Sequence, residues 1–188
     1  PLHVASMAGL PSVVSTLLTK RSDPNATDGN GWTPLHHAAA RGGRSRREIV
    51  TILLNDQAQV DKRTSFFRTP LHLAAIGPAA LSPPGSSSAG GNSSSSSSRP
   101  SDAKMITLLI HHGASPSAVD SGGCTPLHLA ASSGDVLLIS SLLSGGADPY
   151  AASPRGWNAL HFAAFGGRRD ACRLLAQRDA ERGELKGM

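Results

Sequence analysis

The tetrapeptide Thr-Pro-Leu-His recurs along this chain, at Thr33-Pro34-Leu35-His36, Thr69-Pro70-Leu71-His72 and Thr125-Pro126-Leu127-His128. Pro1-Leu2-His3 reads as the same motif cut after its Thr, and Asn158-Ala159-Leu160-His161 as a degenerate copy. The second positions of successive copies lie 33, 36, 56 and 33 residues apart, so the period is 33 with additions of 3 and 23 residues. A site for chemistry is normally made once, whereas a motif repeated at a fixed period of this length marks a structural unit.

Each copy is followed by a second apolar patch: Val13-Val14 with Leu17-Leu18, Ile49-Val50 with Leu53-Leu54, Ile106 with Leu109-Ile110, Leu138-Ile139 with Leu142-Leu143, and Cys172 with Leu174-Leu175. Thr before Pro predicts a helix start, because the hydroxyl caps an orphan N–H and Pro fits the first helical position. His stands three residues after the cap, where a capping-box partner reaches back to it. Asn158 replaces Thr in the last copy and is an equally good cap. Ala-Ala lets a second helix approach closely, and Gly9, Gly42 and Gly134 are expected to end the first helix. The turn residues Asp28-Gly29-Asn30-Gly31 and Asp120-Ser121-Gly122-Gly123 suit tight hairpins. One unit is helix, turn, helix, hairpin. It cannot bury its own apolar face, and five stacked units can.

The chain resembles the ankyrin repeat family, whose signature is a period of about 33 residues with T-P-L-H-x-A. The resemblance implies an all-α solenoid of helix-turn-helix units joined by short β-hairpin loops. Residues 1–188 then form one domain, with repeats at about 1–32, 33–68, 69–124, 125–157 and 158–188. One hairpin departs from the pattern, with Thr64 and Phe67 in place of Asp and Gly, and it is expected to be distorted. The truncated first motif suggests an excerpt of a longer protein.

Both additions fall between first and second helices. The small one lies within residues 43–47. The large one, about 78–101, is Ser-, Gly- and Pro-rich with a single charge, Arg99, and its composition predicts a flexible loop. Lengthening a loop from ~4 to ~27 residues costs only ~1.7 kcal/mol by the logarithmic closure law, so the array should absorb it. The insert reads either as a regulatory tether, phosphorylated for example at Ser101, or as low-complexity drift in a tolerant loop.

The residues offer no chemistry of their own. Five of the eight histidines, His3, His36, His72, His128 and His161, share one position of the repeat, where the resemblance implies a structural tie to neighbouring backbone. His111-His112 ends a second helix, where cations suit the dipole. Cys172 falls on a core position and Cys124 is expected to be exposed before a cap; the two lie 48 apart with no metal-site or disulfide pattern. No catalytic triad, phosphate-cradling loop or carboxylate pair is visible. No catalytic, cofactor or metal site is therefore expected, and the chain is read as non-enzymatic. The cysteine usage points to an intracellular setting, cytoplasm or nucleus.

Net charge is +5, from 18 Lys and Arg against 13 Asp and Glu, which is mild for a nucleic-acid binder. Arg44, Arg46, Arg47, Arg168 and Arg169 read as an interhelix ridge, either solvated or facing an acidic partner, anionic lipid or nucleic acid; the last two are the less favoured partners. The family resemblance implies instead that another protein is held by hairpin tips and inner faces of first helices. The candidate partner-binding residues are Asn30, Trp32, Arg41, Phe66, Arg68, Ile76, Arg155, Trp157 and Phe165. The same surface is expected to include Gly29, Ala40, Ser65, Ser121, Gly122, Cys124, Ser132, Ser133 and Pro154. Trp and Arg dominate interface energetics; alternatively Trp32 and Trp157 pack on their own hairpins. A second reading makes the array the regulatory or substrate-recruiting part of a larger enzyme or channel, with catalysis outside these residues.

Overall fold

The computed structural model describes residues 1–41, 43–76 and 103–185, with side chains through Arg178. The expected helix stop at Gly42 and the insert at 78–101, with Arg99 and Ser101, lie outside the described residues. Ten helices follow one another as five pairs: α1 (Leu2–Ala8) with α2 (Pro11–Thr19), α3 (Pro34–Ala39) with α4 (Arg44–Asn55), α5 (Pro70–Ile76) with α6 (Ala103–His111), α7 (Pro126–Ser133) with α8 (Val136–Ser144), and α9 (Ala159–Phe165) with α10 (Arg169–Leu185). First helices pack on first helices of the next pair, and second on second. No strand forms among the described residues. The result is an all-α solenoid.

Local chemistry sets each boundary. The Thr33 side chain accepts from the His36 N–H while His36 Nδ1 accepts from the Thr33 N–H at 3.1 Å, and Asn158 caps His161 in the same way at 3.2 Å. Gly9 (φ 78°) and Gly134 (φ 80°) end α1 and α7 in the left-handed conformation. The three-residue addition does not form a loop. It becomes an extra turn of helix, since α4 has 12 residues against 9 in α2, α6 and α8.

The core is a stack of small side chains and leucines. Leu35, Leu71 and Leu127 are fully buried behind the caps, with Ala38-Ala39, Ala75 and Ala130-Ala131 beneath them. Second helices contribute Val14, Ile49, Val50, Leu53, Ile106, Leu109, Ile139 and Leu142. Cys172 packs partly buried against this core, as expected of a small hydrophobe.

Second helices end in a shared left-handed turn. After α6 and α8 the turn is made by Gly113 (φ 88°) and Gly146 (φ 87°), but after α2 and α4 by Arg21 (φ 62°) and Gln57 (φ 63°). In all four the following N–H reaches back into the helix: Ser22 to Leu17, Ala58 to Leu53, Ala114 to Leu109 and Ala147 to Leu142, at 2.9–3.1 Å. This is the Schellman closure, and a side chain at its left-handed residue costs about 1–2 kcal/mol. Gln57→Gly should therefore raise unfolding stability by up to about 1 kcal/mol after its own chain-entropy cost. Urea unfolding measures this, and a loss of stability would contradict it.

Candidate functional site

The surface is organised by four hairpins, each closed in the same way. Asp28 N–H donates to the Trp32 carbonyl and Gly31 N–H to the Asp28 carbonyl, both at 2.9 Å. Thr64 with Arg68 and Phe67, Asp120 with Cys124 and Gly123, and Ser153 with Trp157 and Gly156 repeat both bonds at 2.8–3.0 Å. The second hairpin is thus not distorted, contrary to expectation. Thr64 Oγ1 stands in for an Asp carboxylate, accepting from the N–H groups of Phe66 (3.3 Å) and Arg68 (3.2 Å). Phe67 takes the left-handed conformation (φ 58°) that Gly31, Gly123 and Gly156 take in the other three.

Neighbouring hairpins are bonded to each other. Ser65 N–H donates to the Asn30 carbonyl at 3.2 Å, and Ser121 N–H to the Phe66 carbonyl at 3.0 Å. The last hairpin has Pro154 at the equivalent donor position, and its ring lies so close to Gly123 that a Cβ there would sit 2.4 Å from Cδ. A second row ties the hairpin bases: Asn25 Oδ1 accepts from Gln59 N–H at 2.7 Å, and the Asp61 carboxylate from Ser115 N–H at 3.1 Å.

Histidines anchor the row from below. His36 Nε2 meets the Arg68 carbonyl at 3.2 Å, His72 Nε2 that of Cys124 at 3.1 Å, and His128 Nε2 that of Trp157 at 3.1 Å. His3 reaches the carbonyls of Ala26 (2.9 Å) and Trp32 (3.1 Å). A carbonyl only accepts, so Nε2 carries the hydrogen and Nδ1 is the acceptor that holds the Thr cap. His36, His72 and His128 are all at most 1% exposed. Burial, outweighing the carbonyl bonds, pushes the His36 pKa down to about 4 and lowers those of His72 and His128. These rings are neutral structural donors.

The nine candidate partner-binding residues divide by exposure. Asn30, Arg41, Phe66 (62% exposed), Arg155 and Phe165 (82%) are open to solvent. Arg68 is half-buried, its Nε 3.4 Å from Asp120 Oδ2, and Ile76 is half-buried. Trp32 is half-buried with its ring 5.0 Å from that of His37, and Trp157 lies 5.9 Å from Phe162 and 5.5 Å from Phe165. Both tryptophans therefore pack on their own repeat while keeping an exposed edge. Ala40 does not belong to the surface, being only 3% exposed. Cys124 is half-buried rather than exposed, and burial pushes its thiol pKa up.

Sequence reasoning missed Phe162, His37 and the role of two arginines. Phe162 and His37 follow the repeated His directly, and that position is turned to the inner face of the first helices, so the signal was present. His37 Nε2 lies 2.9 Å from Asp28 Oδ2. Partial burial raises the Asp28 carboxyl, but the N–H groups of Trp32 and Asn30 with the His37 ring outweigh it, leaving the pKa below the usual carboxylate value. The arginine ridge is corrected too. Arg46 donates to the Met7 carbonyl at 2.9 Å and lies over Gly9, while Arg168 donates to the Ser132 carbonyl at 3.1 Å and lies over Gly134. At equivalent positions of two repeats, each clamps the helix end of the repeat before it. Those two arginines are structural.

The depressed histidines make stability depend on pH. The unfolded chain takes up protons on these rings near pH 6.5, and folded His36 does so only near pH 4. Across that window the unfolded state binds more protons, so stability is complete above pH 6.5 and is lost as pH falls. His36 alone contributes roughly 3 kcal/mol over the full window. Thermal melting from pH 7 to 4.5 should show this decline, and His36→Gln should flatten it. Identical pH profiles for the two proteins would contradict the assignment.

Among the described residues no group of three or more His, Cys, Asp or Glu could hold a metal, and no helix is long and apolar enough to cross a membrane. The family model for ankyrin repeats (3 copies) matches residues 2–79 and 96–183. Mouse Rabankyrin-5 is 33% identical over 130 residues, covering 69% of this chain and 10% of that protein. Mouse NF-kappa-B inhibitor delta is 32% identical over 136 residues, 71% of this chain and 40% of that protein. Human neurogenic locus notch homolog protein 4 is 42% identical over 76 residues, 40% of this chain and 4% of that protein. The chain thus spans well under half of each relative. The periodic caps, the shared histidine and the matched spans agree, and the chain belongs to the ankyrin repeat family.

Proposed function

We propose that this array binds another protein, without catalysis, on the face made by its hairpin tips and the inner sides of α3, α5, α7 and α9. Ankyrin repeats are in general protein–protein interaction modules. The observation that carries the finer reading is the recurrence of these side chains at matching places in the repeat: exposed Asn30, Phe66 and Arg155 at three tips, half-buried Trp32, Arg68 and Trp157 just before three caps, and Ile76 and exposed Phe165 at the ends of α5 and α9, with exposed Arg41 just past the end of α3. Phe165 is 82% exposed, with its ring 5.5 Å from that of half-buried Trp157. Rigid hairpins present these groups with little ordering cost on association.

The repeats are read as one domain with boundaries near 32, 68, 124 and 157. Both cysteines are free thiols, which supports an intracellular placement. A second reading makes the array the regulatory or substrate-recruiting segment of a larger enzyme or channel, with catalysis outside these residues.

Affinity capture with this chain, followed by titration of each identified partner against variants, tests the face. Phe165→Ala should weaken binding by about 2 kcal/mol with an unchanged melting temperature. Trp157→Ala should lower both, because its ring also packs within the repeat. Loss of binding on Glu48→Gln or Arg169→Gln, with Phe165→Ala binding normally, would place the partner elsewhere.

A further inference from the structure

Three hairpins serve as an internal standard for the fourth. Gly31, Gly123 and Gly156 occupy the left-handed position at φ 70–75°, whereas the second hairpin places Phe67 there at φ 58°. A Cβ in that conformation crowds the backbone, and strain of this kind collects where a function uses the residue. The same tip leaves Phe66 62% and Phe67 52% exposed. Two adjacent phenyl rings in water forgo the burial that normally stabilises them. One tip therefore carries two costs that its three siblings avoid.

The carboxylates on this side already hold backbone donors: Asp28 Oδ1 accepts from Asn30 and Trp32 N–H at 2.9 Å, buried Asp120 Oδ1 from Gly122 and Cys124 N–H at 2.9 and 3.0 Å, and exposed Asp61 from Ser115 N–H at 3.1 Å. Arg63 is exposed with its guanidinium carbon 6.0 Å from the Phe67 ring centroid, and Arg155 is exposed at the last tip.

We infer that the Phe66–Phe67 tip anchors a protein segment that combines acidic residues with an apolar side chain, the acids facing Arg63 and the apolar group covering the two rings. This rests on the hairpin-face reading above and narrows it to one tip and one partner chemistry. A nucleic acid is the poorer fit, because a backbone of phosphates needs cations along its track. Here Arg63 and Arg155 stand two hairpins apart, and Arg68, on the same hairpin as Arg63, is tied to Asp120.

The test uses short synthetic peptides of three kinds: acidic with one Leu or Trp, the same anchor with the acids replaced by amides, and acidic with the anchor replaced by Ser. A single-stranded DNA oligonucleotide is the fourth probe. The acidic, anchored peptides should bind tightest. Phe67→Gly should weaken them about tenfold or more while raising the melting temperature, an opposition of sign that a purely structural phenylalanine does not produce. Arg63→Gln should weaken binding and flatten its salt dependence. The inference is overturned by absence of peptide binding, by equal binding of amide and acidic peptides, by a Phe67→Gly variant that binds as tightly as the wild type, or by DNA binding tighter than any peptide and lost with Phe67→Gly. Peptide binding that depends on Trp157 and Phe165 but not on Phe67 overturns this tip alone and leaves the broader face standing. Binding insensitive to Phe67, Trp157 and Phe165 alike removes both.

Discussion

A buried imidazole that donates from one nitrogen and accepts at the other holds this solenoid in register. At His36, His72 and His128 the Nδ1 side secures the Thr cap of its own first helix, and the Nε2 side secures the carbonyl just ahead of the next cap. Each ring thereby fixes the distance between two consecutive helix starts. The neutral ring does both at once while buried: a charged ring would forfeit its solvation, and an aliphatic side chain would leave a cap and a carbonyl unpaired. His161 on α9 is exposed, and among the described residues no further hairpin follows α10 for its ring to hold.

The proposed face depends on that constraint. Because His36, His72 and His128 grip the carbonyls of Arg68, Cys124 and Trp157, the residues before the caps are set at a common height, and the hairpins rise from them with matching turns. Ser65 and Ser121 then bond the second and third hairpins to their predecessors, and the Pro154 ring packs the fourth against Gly123. Arg46 and Arg168 reinforce the opposite end of the first helices by clamping the carbonyls of Met7 and Ser132. Phe66, Phe67, Arg155 and Phe165 take no part in these bonds through their side chains and are exposed.

Much of this was legible in the sequence. The period of 33 and the Thr-Pro-Leu-His motif gave the helix pairs, the caps and the buried histidine, because each of those letters has one dominant physical use. Asn158 was readable as a cap for the same reason. The second hairpin was misread because Thr64 and Phe67 were judged as missing letters, whereas a hydroxyl can accept the same two N–H bonds and a non-glycine can adopt φ 58° when neighbours hold it. The arginines were misread because charge was taken as surface; Arg46 and Arg168 lie across glycines of the preceding repeat, a contact that spans more than 30 residues and has no local signature. The three-residue addition, placed by the period between the first and second helices, extends α4 by a turn.

The most direct test of the histidine account is nitrogen-15 NMR of the ring nitrogens across pH. The account predicts that His36, His72 and His128 are neutral with hydrogen on Nε2 at pH 7, and that His36 keeps that state until pH approaches about 4. His161, exposed at the end of the array, is the internal comparison in the same spectra. Rings with hydrogen on Nδ1, or three buried histidines that protonate near pH 6.5, would show that they do not bridge successive caps.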